Sequence, residues 1–290
     1  MVSNKYFKVG PIAKAVLKEL VIIILVIIWL IPVYAIIING FKSNTAVVST
    51  NALMFAIPFT FSAYQEAWSL LAQPLLNSIE LVLPVSILSA ILGALGAYYL
   101  YNLTRSFNQR DRILGNIIFA LVSLGTFLPY QATLMPLAIL MAATNLLGTY
   151  WGLLIAYLTF YLPTGALLMS IFIATVPSYL IEAARMDGAS DFNIFFKVVL
   201  PVTMPGFIST LIFIIIESWN NFFLPLVLVT NPNSALVSVA VRYFTGGFGT
   251  LYNASFAAAV LASLIPLVIF IFLGRYFIRG LLALGGGAKI

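Results

Sequence analysis

The sequence predicts an all-α integral membrane protein with six transmembrane helices and with both termini in the cytoplasm. Of its 290 residues, 62% are hydrophobic and 8% are charged, whereas soluble domains carry about a quarter charged residues. The apolar runs are about twice as long as barrel strands and do not alternate, so helices are expected to satisfy their backbone groups in lipid. Lys and Arg are also distributed very unequally between the two sets of predicted loops.

The first predicted transmembrane helix, Leu20–Asn39, lies in the uncharged run 20–41. This run is longer than the 7–15 apolar residues of a signal peptide and can cross a hydrocarbon layer about 30 Å thick. We therefore expect it to be a retained span. A polar stretch rich in turn residues, Lys42–Gln73, separates it from the second predicted helix, Leu75–Tyr101.

The uncharged segment from Ile113 to Ile181 contains more than one helix. As a single helix it would be about 100 Å long, so it is expected to fold back on itself. Spans are predicted at Leu114–Leu128 and Tyr150–Thr175. Between them, Tyr130–Gly148 is predicted to form a shallow helix at the outer surface.

A polar loop, 176–206, precedes the fifth predicted span, Phe207–Val229. A turn and an outer loop, 231–252, lead to the sixth span, Ala254–Phe277. Residues 278–290 are predicted to be a cytoplasmic tail.

The topology follows from the basic residues. With six spans, twelve of the fourteen Lys and Arg lie on the side of the termini, and only Lys42 and Arg242 lie on the other. Because cytoplasmic loops are enriched in basic residues, both termini are predicted to be cytoplasmic. Residues 1–19 then form a cytoplasmic N-terminus, and 72–277 form a core of five helices.

Composition argues against several classes of protein. The chain has no Cys and no His, which excludes disulfides, thiolate nucleophiles, the usual zinc sites and Ser-His-Asp catalysis. An intramembrane enzyme is disfavoured for the same reason. The basic residues are not clustered with aromatic residues, so no nucleic-acid partner is expected. No G-x-x-x-x-G-K-[ST] motif is present, so we expect no ATP, metal or other cofactor on this chain.

The loop 176–206 has the pattern of a short helix–turn–helix. Ser178 is a predicted N-cap, two alanines favour helix, and Gly188 is a natural stop. A second helix, Phe192–Val199, is expected to be closed by Pro201. A helix with small side chains beside charges can fit into a groove on another protein; the alternative is a solvated connector.

The spacing of this loop resembles the signature of binding-protein-dependent ABC importer permeases. Glu-Ala-Ala is followed by three residues, Gly, nine residues, an aliphatic residue, one residue and Leu-Pro. The matching residues are Glu182, Ala183, Ala184, Gly188, Val198, Leu200 and Pro201. Val198 stands where isoleucine is common, and Asp187 lies within the same loop.

Three further motifs resemble the carbohydrate-uptake branch of that family, in particular its shorter, maltose-type permease. They are Leu76-Asn77-Ser78, Trp219-Asn220 and the ending that begins Arg279-Gly280-Leu281. The resemblance covers the chain from about Pro74 to its C-terminus.

The resemblance implies a type I ABC importer transmembrane domain in the cell membrane. The loop 176–206 would dock on an ATP-binding subunit, and ATP with Mg would be used by two copies of that subunit. A solute-binding protein would deliver a sugar or oligosaccharide from outside. A second, different permease would complete the pathway; a homodimer is less common in this branch.

Polar residues in the predicted fifth span suggest a translocation pathway. A carboxylate such as Glu217 costs about 2.5–3.5 kcal/mol near the middle of a membrane helix, so it should face the bundle interior or water. An indole at Trp219 and amides at Asn220 and Asn221 follow, and this combination suits the apolar face and the hydroxyls of a sugar. The alternatives are a polar contact between helices and an orienting role for Trp219.

Other hypotheses remain open on the sequence alone. The chain could be a stand-alone secondary transporter or channel with Glu217 as a proton or ion site, or an ABC permease for a non-sugar solute. Glu80 is expected to reach the outer interface. The outer loop 231–252 either contacts a binding protein or is passive, and the tail after Arg279 either contacts the ATPase pair or frays.

One small-residue pattern indicates close packing. Gly93 and Ala97 are four residues apart in the second predicted span, which is compatible with the close approach of another helix.

Overall fold

The computed structural model describes residues 11–55, 57–127, 129–244 and 251–285. It divides into two compact units. The first comprises Met1–Ser69 and Phe244–Leu261, and the second comprises Leu70–Tyr243 and Ala262–Ile290. Every regular element in the described residues is helical, as the sequence predicts.

The first unit begins with α1, Pro11–Asn39, which starts earlier than the predicted Leu20. Its apolar side chains are exposed nearly all around, the pattern of a helix that faces lipid. The short helix α2, Asn44–Ser49, follows. Lys42, between the two, is buried, and its Nζ donates to the Asn51 carbonyl at 2.9 Å.

The third helix, α3, runs over 43 residues from Ser62 to Thr104. The prediction of a turn-rich stretch as far as Gln73 is therefore wrong for 62–73. Pro74 lies inside the helix, a position that proline can occupy in membrane helices. The missed indication is an apolar stripe at helical spacing, because Ala63, Ala67 and Leu71 are all buried.

Helix α4, Gln109–Phe127, is followed by a 3₁₀ turn, Tyr130–Thr133, and by α5, Leu134–Ala143. The two helical segments meet at 90°. The predicted shallow helix over 130–148 is present but ends at Ala143, and it is not purely superficial. Leu134 and Met141 are buried in an apolar cluster that includes residues of α3 and of later helices.

Helix α6, Tyr150–Ile173, matches the fourth predicted span and is capped by the Thr149 hydroxyl, which accepts from the Gly152 N–H at 3.0 Å. It crosses α3 closely. A Cβ placed on Gly93 would lie 2.6 Å from both the Gly165 carbonyl carbon and the Ala166 nitrogen. The small-residue pattern at Gly93 is compatible with either close contact or ordinary bundle packing, and the structure shows a close contact there.

A helical hairpin and a sharp bend follow. The hairpin consists of α7, Ser178–Met186, and a continuous helical stretch that begins with α8, Asp191–Ile194, and ends with α9, Leu200–Val202. Between α8 and α9 the backbone forms a π-helical turn at Phe195–Val199. Helix α10, Met204–Asn220, leaves α9 at 83°.

The predicted continuous fifth span, Phe207–Val229, is wrong, because the helix breaks after Asn220 and resumes as α11, Phe223–Leu228. Pro225 explains the break, since a proline lacks the N–H that would bond residue 221 and its ring clashes with that carbonyl. The Asn221 carbonyl instead accepts from the Ser238 hydroxyl at 2.8 Å.

Two 3₁₀ turns, Pro232–Ser234 and Val241–Phe244, flank α12, Val237–Ala240. The last helix, α13, extends from Tyr252 to Gly285. The predicted tail is therefore helical over 278–285. The loop glycines Gly246, Gly247 and Gly249 and the last five residues lie outside the described residues.

By length and hydropathy, four described helices can cross a membrane unaided, and six spans result if each bent pair counts as one. The four are Lys14–Asn39, Ser62–Thr104, Tyr150–Ile173 and Tyr252–Ile278. The predicted number of six is the upper value of this range.

Candidate coupling hairpin and translocation site

The coupling hairpin is defined here as residues 176–206. Its first helix begins one residue earlier than predicted, because Pro177 has the extended conformation of an N-cap and Ser178 is already the first helical residue. Gly188 ends it as predicted, with a φ of +79° that favours glycine. Pro201 does not close the second helix but lies at the start of α9, directly after the π-helical turn.

Buried apolar side chains attach the hairpin to the rest of the second unit. These side chains are less than 4% exposed and belong to one cluster with residues of α3 and α6. The buried hairpin residues of the cluster are Val176, Ile181, Ile194, Phe195 and Val199. Because burial of each such side chain is worth about 1.5–3 kcal/mol, the hairpin is a firm extension of the core rather than a solvated connector.

A set of polar contacts around Asp191, here called the polar clamp, also attaches the hairpin to the rest of the second unit. Asp191 Oδ1 accepts from Arg185 Nη2 at 3.1 Å and from the Tyr98 hydroxyl at 3.3 Å. Arg185 Nη2 also donates to Asn102 Oδ1 at 3.0 Å. Partial burial lowers the pKa of Arg185, but the hydrogen bond and charge of Asp191 and the nearby Tyr98 outweigh it, so the pKa is raised. The clamp joins both arms of the hairpin to the end of α3.

Some residues of the predicted site are half-buried against the apolar cluster, and others are exposed. Ala184, Val198 and Leu200 are half-buried against the apolar cluster. The exposed members are Glu182, Ala183, Asp187, Gly188 and Pro201. Two large apolar side chains share the exposed surface, since Met186 is 88% and Tyr179 is 66% exposed. A rigid projection with acidic and apolar side chains is suited to a groove on another protein.

The four candidate pathway residues do not share one environment. Glu217 and Asn220 are exposed, whereas Trp219 and Asn221 are 5% and 8% exposed. Glu217 lies in the last turn of α10, because the helix ends at Asn220. The Asn220 amide donates to the Ile216 carbonyl at 2.8 Å.

Trp219 has an internal partner. Its Nε1 donates to the Ala262 carbonyl of α13 at 3.1 Å. In a regular helix this carbonyl would accept from residue 266, which is a proline without an N–H. The indole therefore satisfies a backbone group that Pro266 leaves free, and this favours the orienting role considered for Trp219.

Asn221 holds the helix break open. Its Oδ1 accepts from the Leu224 N–H at 3.1 Å, and its Nδ2 donates to the Tyr161 hydroxyl at 3.0 Å. The break thus has the Asn221 amide and the Tyr161 phenol in contact, with the Glu217 carboxylate in the preceding helical turn. These groups are able to donate to and accept from hydroxyls.

A second clamp, which the sequence does not indicate beyond the Leu76-Asn77-Ser78 resemblance, lies at the other end of α3. The Asn77 amide donates to the carbonyls of Asn233 and Ala235 at 2.8 and 3.0 Å. The buried Ser78 hydroxyl accepts from the Val237 N–H at 2.9 Å. These bonds hold the segment between α11 and α12 against α3.

The Glu80 side chain is exposed. Its backbone carbonyl, which Pro84 leaves without a helical donor, accepts from the Tyr150 hydroxyl at 3.0 Å. Within the described residues, no group of three or more Asp or Glu could hold a metal ion.

Comparison with known proteins decides the family. A sequence profile described as "Binding-protein-dependent transport system inner membrane component" matches residues 89–282, about two thirds of the chain. The chain belongs to this family. The matched range contains the complete coupling hairpin and α10, so this permease carries the predicted signature within the region that defines the family.

Individual relatives agree with the assignment. This permease is 56% identical to the glucose import system permease protein of Saccharolobus solfataricus over 97% of this chain and 98% of that one. It is 32% identical to a probable ABC transporter permease protein of Pyrococcus horikoshii, over 91% and 94% of the two chains. Both relatives are membrane permeases, so this chain is a transport component and not an enzyme.

A solved structure identifies the fold. The permease matches a bacterial ABC transporter involved in the import of the acidic polysaccharide alginate with a TM-score of 0.74. The match covers 95% of this chain and 100% of that chain at 18% identity. The fold is that of a type I ABC importer transmembrane domain. In general terms, such a permease works with a partner permease, an ATPase and a binding protein.

Proposed function

We propose that this permease conducts a sugar inward across the cell membrane, and that its substrate is a monosaccharide of the glucose class. The observation that carries the proposal is the 56% identity to a glucose import permease, which extends over 97% and 98% of the two chains. A match of that extent includes every helix from which a pathway could be built. An ABC permease for a non-sugar solute is the alternative.

The proposed assembly contains a second, different permease, two ATP-binding subunits that use ATP and Mg, and an external solute-binding protein. The coupling hairpin would dock on one ATP-binding subunit. Its exposed Glu182, Met186 and Asp187 and its buried apolar seat support this role. Because ATP can shift conformations only through a differential contact, a firmly seated projection is better suited to transmit the shift than a mobile loop.

The proposed orientation places the hairpin and both termini in the cytoplasm. It is supported by the basic residues, twelve of fourteen of which lie on that side in a six-span topology. The outer loop 231–252 would then face the binding protein.

For the pathway, we keep Glu217 and Asn220 as the side chains that would meet the sugar, because both are exposed. Trp219 and Asn221 would support them from within, through their bonds to the Ala262 carbonyl and the Tyr161 hydroxyl. A carboxylate and an amide can together accept and donate hydrogen bonds to sugar hydroxyls.

The test is transport by the complex isolated from its native membrane through a tag on this chain. In proteoliposomes that enclose ATP and Mg, with the co-purified binding protein outside, labelled glucose should accumulate, and an excess of unlabelled glucose should suppress the signal. Uptake that persists without ATP, or that a pH or sodium gradient drives, would refute the proposal. Uptake that amino acids but not sugars suppress would establish the non-sugar alternative.

The coupling role has a matched pair of variants. Glu182→Ala should lower substrate-stimulated ATP hydrolysis about tenfold or more, because one charge-assisted contact to a partner is worth about 1.5–3 kcal/mol. Glu66→Ala, at an exposed carboxylate outside the hairpin, should leave hydrolysis unchanged. Equal rates in the two variants would exclude docking through Glu182.

A further inference from the structure

A groove at the hairpin end of the second unit lies between α3, α4 and α6. One end of the groove is polar and is formed by Arg105 and Asn116. The rest is mainly apolar and aromatic, with walls that include Leu100, Phe119 and Ile171. Nothing in the proposed transport mechanism uses this groove.

Arg105 provides a cation with spare donors. Its guanidinium lies 4.2 Å above the Tyr101 ring centre, and its Nη1 donates to the Tyr101 hydroxyl at 2.6 Å. Within the part of the chain that the structure describes, Arg105 forms no ion pair. A guanidinium has five N–H donors, so most of them remain available. The ring contact holds the group in place at the mouth of the groove.

The apolar part runs into the membrane-spanning region. From Arg105, at the end of α3, the lining continues back along the helix to Ala97, a distance of about 12 Å at 1.5 Å per residue. Phe119 of α4 and Ile171 of α6, which both line the groove, are 37% and 43% exposed. A cation at the membrane edge above an apolar channel is complementary to an anionic amphiphile.

We propose that this groove binds the phosphate headgroup and the first part of a hydrocarbon chain of an anionic membrane lipid. Arg105 is the only charged side chain that lines it among the described residues, and guanidinium groups bind phosphate through paired hydrogen bonds. The Asn116 amide, which has no hydrogen-bond partner within the described structure, can donate to the same headgroup.

The test uses the full-length chain, purified and reconstituted into nanodiscs of phosphatidylcholine with a titrated fraction of phosphatidylglycerol. Bound lipid is counted by native mass spectrometry after release from the disc. Wild type should retain phosphatidylglycerol in preference to phosphatidylcholine. Arg105→Gln should weaken this retention about fivefold, the effect expected from one basic residue near an anionic surface.

Two variants control for charge and for folding. Arg110→Gln removes the same charge from an exposed position outside the groove and should retain the lipid as wild type does. Arg105→Lys should recover part of the preference, whereas a variant that merely failed to fold would not be rescued by lysine. Ala174→Trp, which fills the groove without changing charge, should reduce retention of phosphatidylglycerol.

Three outcomes would overturn the proposal. Equal losses in Arg105→Gln and Arg110→Gln would indicate diffuse surface attraction. Competition by inorganic phosphate as effective as that by the lipid would indicate a site for the free anion. Retention in Ala174→Trp equal to that of wild type would mean that the lipid lies elsewhere.

Discussion

Replacing Trp219 by phenylalanine should destabilise the protein, because it removes the hydrogen-bond donor to a carbonyl that a proline leaves without its helical donor. The substitution keeps most of the buried ring but removes the Nε1–H that reaches the Ala262 carbonyl at 3.1 Å. That carbonyl has no N–H donor at residue 266, because Pro266 lacks one. In Trp219→Phe it would lose this donor at a partly buried position of α13.

The expected loss can be estimated from the environment. A buried acceptor left unsatisfied costs about 1–3 kcal/mol, and Trp219 is only 5% exposed. Measured hydrogen bonds between membrane helices average about 0.6 kcal/mol with a maximum near 1.7. We therefore expect Trp219→Phe to lower the free energy of unfolding by about 1–2 kcal/mol, beyond the small loss of ring area.

A double-mutant cycle isolates the hydrogen bond. Pro266→Ala restores the helical N–H to the Ala262 carbonyl, so Trp219→Phe should cost markedly less in that background, with a coupling energy of about 1 kcal/mol. The measurement is unfolding of the purified chain in mixed micelles by titration with sodium dodecyl sulfate, followed by circular dichroism. An equal cost in both backgrounds would refute the reasoning.

The related pair Tyr150 and Pro84 provides a comparison within the same protein. The Tyr150 hydroxyl serves the Glu80 carbonyl at 3.0 Å, but Tyr150 is 42% exposed, so water can replace it. Tyr150→Phe should therefore cost less than Trp219→Phe. A larger loss at Tyr150 would contradict the role assigned to burial.

Three further predictions follow from backbone contacts. Gly93→Ala should destabilise the chain by about 1–3 kcal/mol, because its Cβ would lie 2.6 Å from backbone atoms of α6. Gly96→Ala is the control, because its Cβ would meet nothing within 4 Å. Equal melting temperatures of the two variants would contradict this prediction. Ser78→Ala leaves the buried Val237 N–H without its acceptor and should speed amide exchange in that segment by mass spectrometry, and unchanged exchange would exclude the clamp. Gly188→Ala, at a φ of +79°, should cost about 1 kcal/mol and reduce substrate-stimulated ATP hydrolysis, which would stay at the wild-type rate if the turn were passive.

The existence of the apolar helices could be predicted from the sequence, but several of their ends could not. The uncharged runs around Leu20–Asn39 and Tyr150–Thr175 require helices because lipid offers no other partner for the backbone. The start of α3 was missed because Pro74 and the polar residues before it suggest a loop, and only the buried stripe containing Ala67 and Leu71 shows why the helix extends. The break after Asn220 could not be predicted from Pro225 alone, because helices continue through Pro84 and Pro266.

For the candidate site too, the local structure could be predicted from the sequence but the long-range contacts could not. The spacing from Glu182 to Pro201 predicted the hairpin because its glycine and alanines act through local conformation. The clamp between Arg185 and Asp191 depends on Tyr98 and Asn102 of α3, which lie far away in sequence. No local pattern reveals a contact of that kind.

The prolines of this chain show how side chains distant in sequence stabilise the helices. Three of the carbonyls that lose a helical donor to a proline four residues on accept a hydrogen bond from a side chain of another segment instead. The carbonyl, proline and donor sets are Glu80, Pro84 and Tyr150; Asn221, Pro225 and Ser238; and Ala262, Pro266 and Trp219. At two of them the helix continues and at Asn221 it breaks, so the proline alone does not determine the outcome. The difference lies at residue 221, where the Asn side chain also binds the Leu224 N–H and the Tyr161 hydroxyl and so stabilises the open turn. At these three prolines a side chain of another segment replaces the missing helical donor, and the residues nearby determine whether the helix continues or breaks.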